Sequence, residues 1–498
     1  MHTGIYSQQT HRFFQVSPWT SIRYRLEVTD RVQPTSERAE GESGPTDIER
    51  FGYQQELRRS LSTADLVIYG LIFMVPIAPF AIFGSVFSLS GGMVALAYCI
   101  GLVAMLFTAN SYAQMARAFP IAGSVYSYAG RGIGKPVGFV SGWAMLLDYI
   151  FVPALLYLAS SLAMHATIPA VPAWVWLIGF VVLNTVINYL GITLTARINR
   201  VMIVLELIVL AIFLVIGLAA VAQGKGRGFN FSAFFDSGNF SLTMVLSAVS
   251  VAALSFLGFD AISTLAEEHK GTAHQLGRSM LIALVLVGVL FVVQTWVASM
   301  LVENPERLIA EGDSEGVAFY DAAGFAGGHW LYILTAVATA IAWGFADAMV
   351  AQAATSRLLF AMARDRQLPK FLRRIDPKHD VPVAATLLVA IVSLVFGIYL
   401  TLLPNGLTVI SSLVNFGALT AFAILNVAVI WYYIGKQHSR RWLVHLVFPV
   451  VGLVVLVFVL FNARSSAQIV GLAWLAIGAV LGVILRRRGI DTTIAAAE

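Results

Sequence analysis

Runs of about twenty mostly apolar residues recur along this chain, each long enough to cross the hydrocarbon core of a bilayer as a helix. They lie near residues 65–88, 92–118, 134–163, 173–190, 197–221 and 243–266, then near 279–302, 329–360, 382–402, 406–434, 442–461 and 467–485. In lipid every backbone polar group must be satisfied within the protein, which leaves helices or a closed barrel. Runs of this length predict helices, so the expectation is an all-α polytopic membrane protein with 12 transmembrane helices. The long runs at 134–163 and 329–360 imply tilt or helix projecting beyond the bilayer.

Composition agrees. Only 12% of the 498 residues are charged and 58% are hydrophobic, whereas soluble domains are roughly a quarter charged. Of 59 charged residues, 16 fall within residues 1–60, which predicts a polar, disordered N-terminal tail, a twelve-helix domain over 61–488 and a short tail over 489–498. The single cysteine, Cys99, allows no intrachain disulfide and no thiol metal cluster. Basic residues sit in short segments between apolar runs rather than on a soluble face, which argues against nucleic acid as a partner. No apolar stretch with a small-residue cleavage site opens the chain, so a removable leader is not expected.

Charge also orients the spans. Arg58, Arg59, Arg131, Lys135, Arg197 and Arg200 mark one set of loops. The loop after span 8 carries Arg364, Arg366, Lys370, Arg373, Arg374 and Lys378, and Arg486–Arg488 follow span 12. The loop between spans 7 and 8 holds Glu303, Glu306, Glu311, Asp313, Glu315 and Asp321 against Arg307 alone. Positive loops stay cytoplasmic, which places both termini inside and the 303–328 loop outside. Lys225 and Arg227, in an outer loop, are the exception.

Two spans carry helix breakers. Span 1 reads Val75-Pro76-Ile77-Ala78-Pro79, and span 6 carries Ser255-Phe256-Leu257-Gly258-Phe259-Asp260. Proline removes backbone donors and disfavours helix before it. Breaks five spans apart, in oppositely directed helices, point to a midplane binding site of a secondary transporter; the plainer reading is packed helices kinked by proline.

Four acids lie away from span ends: Asp148, Glu206, Asp260 and Asp347. No Lys or Arg lies at comparable depth, and Arg357 falls near the cytoplasmic end of its helix. An ionisable residue at a helix centre costs roughly 3 kcal/mol or more, so these acids must be protonated, cation-bound or facing water. Each has a structural alternative. Asp260 could cap a half-helix, Asp148, next to Tyr149, could accept a structural hydrogen bond, Glu206 could approach Arg197 or Arg200, and Asp347 follows Trp343 and Phe345 near the middle of span 8. Separated carboxylates suit a diammonium, whose charges need negative partners on leaving water, and whose methylene chain suits aromatic walls such as Trp343, Phe256, Phe259 and Tyr149.

These residues resemble the amino acid–polyamine–organocation (APC) superfamily. The resemblance is carried by the paired breaks, by Gly258-Phe259-Asp260 with Ala266-Glu267-Glu268, by Phe119-Pro120-Ile121-Ala122-Gly123-Ser124-Val125-Tyr126, and by Ser356-Arg357-Leu358-Leu359-Phe360 through Asp365. Within it, Gly142-Trp143 through Leu147-Asp148-Tyr149 to Pro153, Ser255 to Asp260, and Asn415-Phe416-Gly417-Ala418-Leu419 look most like bacterial putrescine importers. The similarity covers roughly residues 60–488.

The resemblance implies a five-plus-five inverted repeat (LeuT-like) with two added helices, discontinuous helices 1 and 6, and alternating access around a site between spans 1, 3, 6, 8 and 10. It implies import of a di- or polyamine, putrescine first, across the bacterial inner membrane by proton symport; sodium is the other candidate ion, and no cofactor is expected. Asp260 would meet one ammonium and Asp148 or Asp347 the second, with Ser255, Phe256, Gly258, Phe259, Tyr149, Trp343, Ala78 and Pro79 around them. Glu206, with Asp347, is the candidate for the coupling ion. Two departures stand out: Glu206 occupies a place where related carriers often have Gln or Lys, and Asp347 one where a small residue is usual. The first span of amino acid permeases usually carries a Gly-Ser-Gly run whose amides receive the substrate carboxylate; here prolines stand in that stretch, which favours an amine without a carboxylate. The rivals are an amino acid permease or exchanger of the same fold and a non-transporting amine sensor. An enzyme is not expected, since no nucleophile–His pairing or two-His metal spacing occurs in the spans.

Overall fold

The computed structural model describes residues 51, 56–238, 240–313, 316–403, 406–461 and 465–487. Nearly all of the polar tail expected over 1–60 and the whole of 489–498 lie outside the described residues, as do Glu315 and Arg488. Among the described residues there is no strand, only isolated bridges of Leu61 with His269 and Asp376 with Val381.

The helices, in order, are α1 (Thr63–Met74), α2 (Pro79–Leu89), α3 (Val94–Ala118), α4 (Ser124–Gly132), α5 (Lys135–Thr167), α6 (Ala173–Tyr189), α7 (Ile192–Ala222) and α8 (Leu242–Ala252). They continue as α9 (Ala273–Leu301), α10 (Pro305–Glu311), α11 (Ala318–Gly327), α12 (His329–Ile341), α13 (Ala348–Arg364), α14 (Val383–Thr401), α15 (Gly406–Val429), α16 (Phe448–Phe461) and α17 (Ser465–Arg487). Among the described residues nine helices are long and apolar enough to cross a membrane. The α1–α2 pair, bent by 55°, makes a tenth, and Ala173–Tyr189 and Gln468–Ile484 are shorter apolar helices. Each falls on one of the twelve expected runs. Helix α4, between the second and third runs, was not expected: its residues are buried although its sequence is only weakly apolar.

Span 1 starts on a capping box, in which Ser62 and Asp65 exchange side-chain and backbone hydrogen bonds. Its first half, α1, ends at Val75, where φ is +49° ahead of Pro76. Pro79 opens α2, where a missing N–H costs nothing. The carbonyl of Pro76 freed by the break accepts from Gln294 Nε2 at 2.8 Å. In span 6, α8 tightens to a 3₁₀ turn over Ala253–Phe256, Leu257 is extended, and a second 3₁₀ stretch runs over Phe259–Leu265.

The two breaks meet. Gly258 adopts φ +115°, and a Cβ there would lie 2.8–3.0 Å from Phe73, including its backbone carbon. Only glycine allows both that conformation and that approach. Span 8 is also irregular: Ala342–Asp347 is wound as a π-helix between α12 and α13, a feature often found at functional sites. The outer edge of α5 is clasped by α17. Trp143 and Trp474 stack at 4.7 Å, and each indole N–H donates to the other's carbonyl at 2.8 Å.

Candidate functional site

A cavity of about 130 Å³ lies where α1, α5, the span 6 break, the π-helical turn and α15 converge. Its walls include Phe73, Met74, Val75 and Ala78 from span 1, and Asp148, Tyr149, Val152 and Leu155 from α5. Ser255, Leu257 and Gly258 line it from span 6, Trp343 and Asp347 from span 8, and Ser411 and Val414 from α15. The walls are largely apolar, as small-molecule sites usually are. Among the described residues no Lys, Arg or His lines it.

Seven expected site residues therefore share one cavity: Asp148, Tyr149, Ser255, Gly258, Trp343, Asp347 and Ala78. Four do not reach its wall. Pro79 belongs to the next turn. Phe256 turns into an aromatic cluster with Tyr98 and Phe291, and Phe259 packs on Tyr112 and Phe422. Asp260 lies behind Tyr149, whose hydroxyl donates to its Oδ2 at 2.6 Å. The Tyr112 hydroxyl and the N–H groups of Gly258 and Asp260 also face that carboxylate.

Among the described residues, three structural contacts open to the acids are not made. Asp260 does not cap the following turn, which has no side-chain cap. Tyr149 bonds Asp260 and not Asp148, whose Oδ1 is buried without a partner. Glu206 does not meet Arg200, because that guanidinium binds Asp65 at 2.5 and 2.8 Å. Both Glu206 oxygens and Asp347 Oδ1 are buried and unpartnered. Asp347 lies within electrostatic range of Glu206 and Asp148, and Asp148 of Asp260. The four acids thus form a file across the core from span 6 to span 5, of which Asp148 and Asp347 face the cavity.

The buried bases lie outside that file. Arg357, 3% exposed, makes a bidentate pair with Glu268 through Nε and NH2. Arg364 pairs with Glu267 at 2.7 and 2.9 Å, and Glu267 also accepts from the N–H of Ala122 at 3.0 Å. These contacts tie the end of span 6 to α13 and to the loop before α4. Among the described residues no group of three or more His, Cys, Asp or Glu is placed to hold a metal ion.

Sequence reasoning missed Val152, Leu155, Ser411 and Val414. Val152 and Leu155 follow Asp148 at helical spacing of four and seven, so the face of α5 was legible. Nothing comparable marked Ser411 and Val414, in an apolar helix without a charge to orient it.

The family model for amino acid permeases matches residues 60–484. The chain belongs to that family. A low-affinity putrescine importer of Escherichia coli (strain K12), PlaP, is 31% identical over 431 residues, covering 85% of this chain and 93% of its own. The branched-chain amino acid permease BcaP of Bacillus subtilis (strain 168) is 27% identical, covering 87% of this chain and 94% of its own. The methylthioribose transporter of the same organism is 26% identical, with 87% and 95% covered. The transporter is thus a multi-pass APC-fold membrane protein and not an enzyme, and its cavity lies where the broken helices meet.

Proposed function

We propose that the transporter imports a di- or polyamine, with putrescine the first candidate, across the bacterial inner membrane by proton-coupled alternating access. In this reading it has twelve spans built as two inverted halves, and both termini are cytoplasmic, as the loop charges direct. The observation that carries the reading is the pair Asp148 and Asp347 lining one largely apolar cavity, with no cationic side chain among its described lining residues. A buried carboxylate without a partner is costly, and a diammonium substrate supplies two partners at once.

The backbone of span 1 supports an amine without a carboxylate. Across residues 75–79, Pro76 and Pro79 have no N–H, while Val75 and Ala78 donate to Ile72 and Val75 carbonyls at 3.2 and 2.7 Å. Four of the five amides are therefore closed to a substrate carboxylate. The importer among the relatives points the same way. In this reading Asp148 and Asp347 meet the ammonium groups directly, Asp260 acts through the Tyr149 hydroxyl, and Glu206 behind Asp347 takes the coupling proton.

One observation favours an amino acid instead: Trp343 lines the cavity with its indole N–H buried and unpartnered, a donor suited to a carboxylate. Proteoliposome uptake of labelled putrescine, spermidine, lysine and alanine decides between them, run with a pH gradient alone, a sodium gradient alone and neither. Accumulation of putrescine driven by the pH gradient is expected. Uptake of alanine but not putrescine would select the amino acid permease, sodium dependence would replace the proton, and absence of any uptake would leave a sensor.

A further inference from the structure

The loop between α7 and α8 carries four strongly exposed phenyl rings: Phe229 at 63%, Phe231 at 58%, Phe235 at 60% and Phe240 at 45%. It is nonetheless a fixed structure. The N–H of Arg227 donates to Met300 O at 2.9 Å, the Trp296 indole N–H to Asn230 O at 2.8 Å, and the Leu96 N–H to Ala233 O at 3.0 Å. Asn230 closes a local turn by accepting from the Ser232 N–H and hydroxyl at 3.1 and 2.7 Å. The rings are thus presented by a braced scaffold.

Their position follows from Trp296. Phe231 stacks on that indole at 5.2 Å and 15°, and Phe229 meets it edge-on at 5.3 Å. Trp296 lies five residues before the end of α9, about 7.5 Å into the helix at 1.5 Å per residue. It also continues the outward stripe of α9 that runs through Val285 and Val289, 42% and 52% exposed. The loop therefore folds back along a lipid-facing helix, and its rings extend that apolar surface. Leu242, 60% exposed at the start of α8, carries it on.

The two basic residues that broke the loop-charge rule are absorbed locally. Lys225 Nζ donates to Phe325 and Ala326 carbonyls at 3.5 and 3.2 Å, at the C-terminal end of α11 where a cation is favoured. Arg227 shares a small polar pocket with Asp236 and Glu306.

We propose that Phe229, Phe231, Phe235 and Phe240, with Leu242, are a preformed interfacial anchor, seated in the headgroup–acyl boundary of the leaflet on the side where α7 ends. An apolar patch of this kind in water would be an association hazard. Phenyl rings on a rigid surface level with an interfacial tryptophan match what that boundary accommodates.

The single native cysteine makes the test direct. In a Cys99→Ser background, nitroxide labels are placed by Phe229→Cys, Phe235→Cys and Phe240→Cys, with Ser237→Cys in the same loop and Glu306→Cys as references, and read in proteoliposomes. The three phenyl positions are expected to collide more often with oxygen than with a water-soluble nickel chelate, and the two references to show the reverse order. Greater collision with the chelate at the phenyl positions would overturn the proposal. Protection from both reagents, with dipolar broadening between copies, would also overturn it by making this face a protein interface.

Discussion

Tyr149 donates its hydroxyl hydrogen to Asp260 across 2.6 Å, and its ring stands on the cavity wall while the carboxylate stands behind it. That hydrogen is committed to a carboxylate that does not itself line the cavity.

Tyr149→Phe removes that donor from a buried carboxylate, which costs about 1.5–3 kcal/mol for a charged group. Uptake should fall about tenfold for each 1.4 kcal/mol lost from the transport transition state. Asp260→Asn should lower uptake far more than expression. Unchanged putrescine affinity in purified Asp260→Asn would remove Asp260 from substrate recognition.

Glu206→Gln should abolish accumulation driven by a pH gradient while leaving putrescine–putrescine counterflow in place, because Glu206 lies behind the cavity wall and Asp347 on it. Proteoliposome assays of both modes on the same preparation separate the two. Full accumulation in Glu206→Gln would assign the coupling proton elsewhere.

The ion pairs should differ sharply in worth. Arg357→Ala leaves Glu268 buried and unpaired, at a cost of about 3–5 kcal/mol, and should lower yield and the melting temperature in detergent. The double substitution Glu268→Gln/Arg357→Met should recover much of that loss. Arg200→Ala, at a pair whose arginine is 57% exposed, should cost about 0–1 kcal/mol.

Gly258→Ala should lose transport and stability together, because φ of +115° and the contact with Phe73 both reject a Cβ. Strain of this kind is worth about 1–3 kcal/mol. Reduced uptake with an unaltered melting temperature would place the effect on the substrate instead of on the meeting of the two breaks.

His269, in the loop after span 6, is enclosed beside the Thr63 hydroxyl at 3.3 Å. Burial, with Arg59 nearby, holds its pKa below the ordinary 6.5. The unfolded chain therefore takes up the proton first, so the stability of this contact is complete above that value and lost as pH falls through the folded pKa. Melting curves from pH 8 to pH 5 should show the decline, and His269→Gln should flatten it.

Much of this was legible in the sequence because lipid leaves the backbone few options. Each apolar run became a helix, and Pro76, Pro79 and Gly258 marked the breaks. The site was legible only in outline. Asp148 and Asp347 stood out as charges without partners, yet their sharing of a cavity depends on a π-helical turn that no residue pattern announces. Asp260 showed the limit most clearly: its depth along span 6 could be read, but whether it faced the cavity or the back of Tyr149 was set by side chains on α3 and α5. Arg357 was read by position along its helix, while its enclosure depends on Glu268 arriving from another span.

The exchanged indole hydrogen bonds between Trp143 and Trp474 bear on how the molecule moves. Asp148 and Tyr149 lie five and six residues beyond Trp143 on the same helix, so α17 is bolted to the element that carries the cavity-lining Asp148. With the stacked rings wedged over Gly478, where a Cβ would fall 2.2 Å from the Trp143 ring, sliding of one helix against the other is blocked. The last described helix is then an outrigger: if α5 rotates in the alternating access proposed above, α17 rides with it, and the lipid around α17 becomes part of the load.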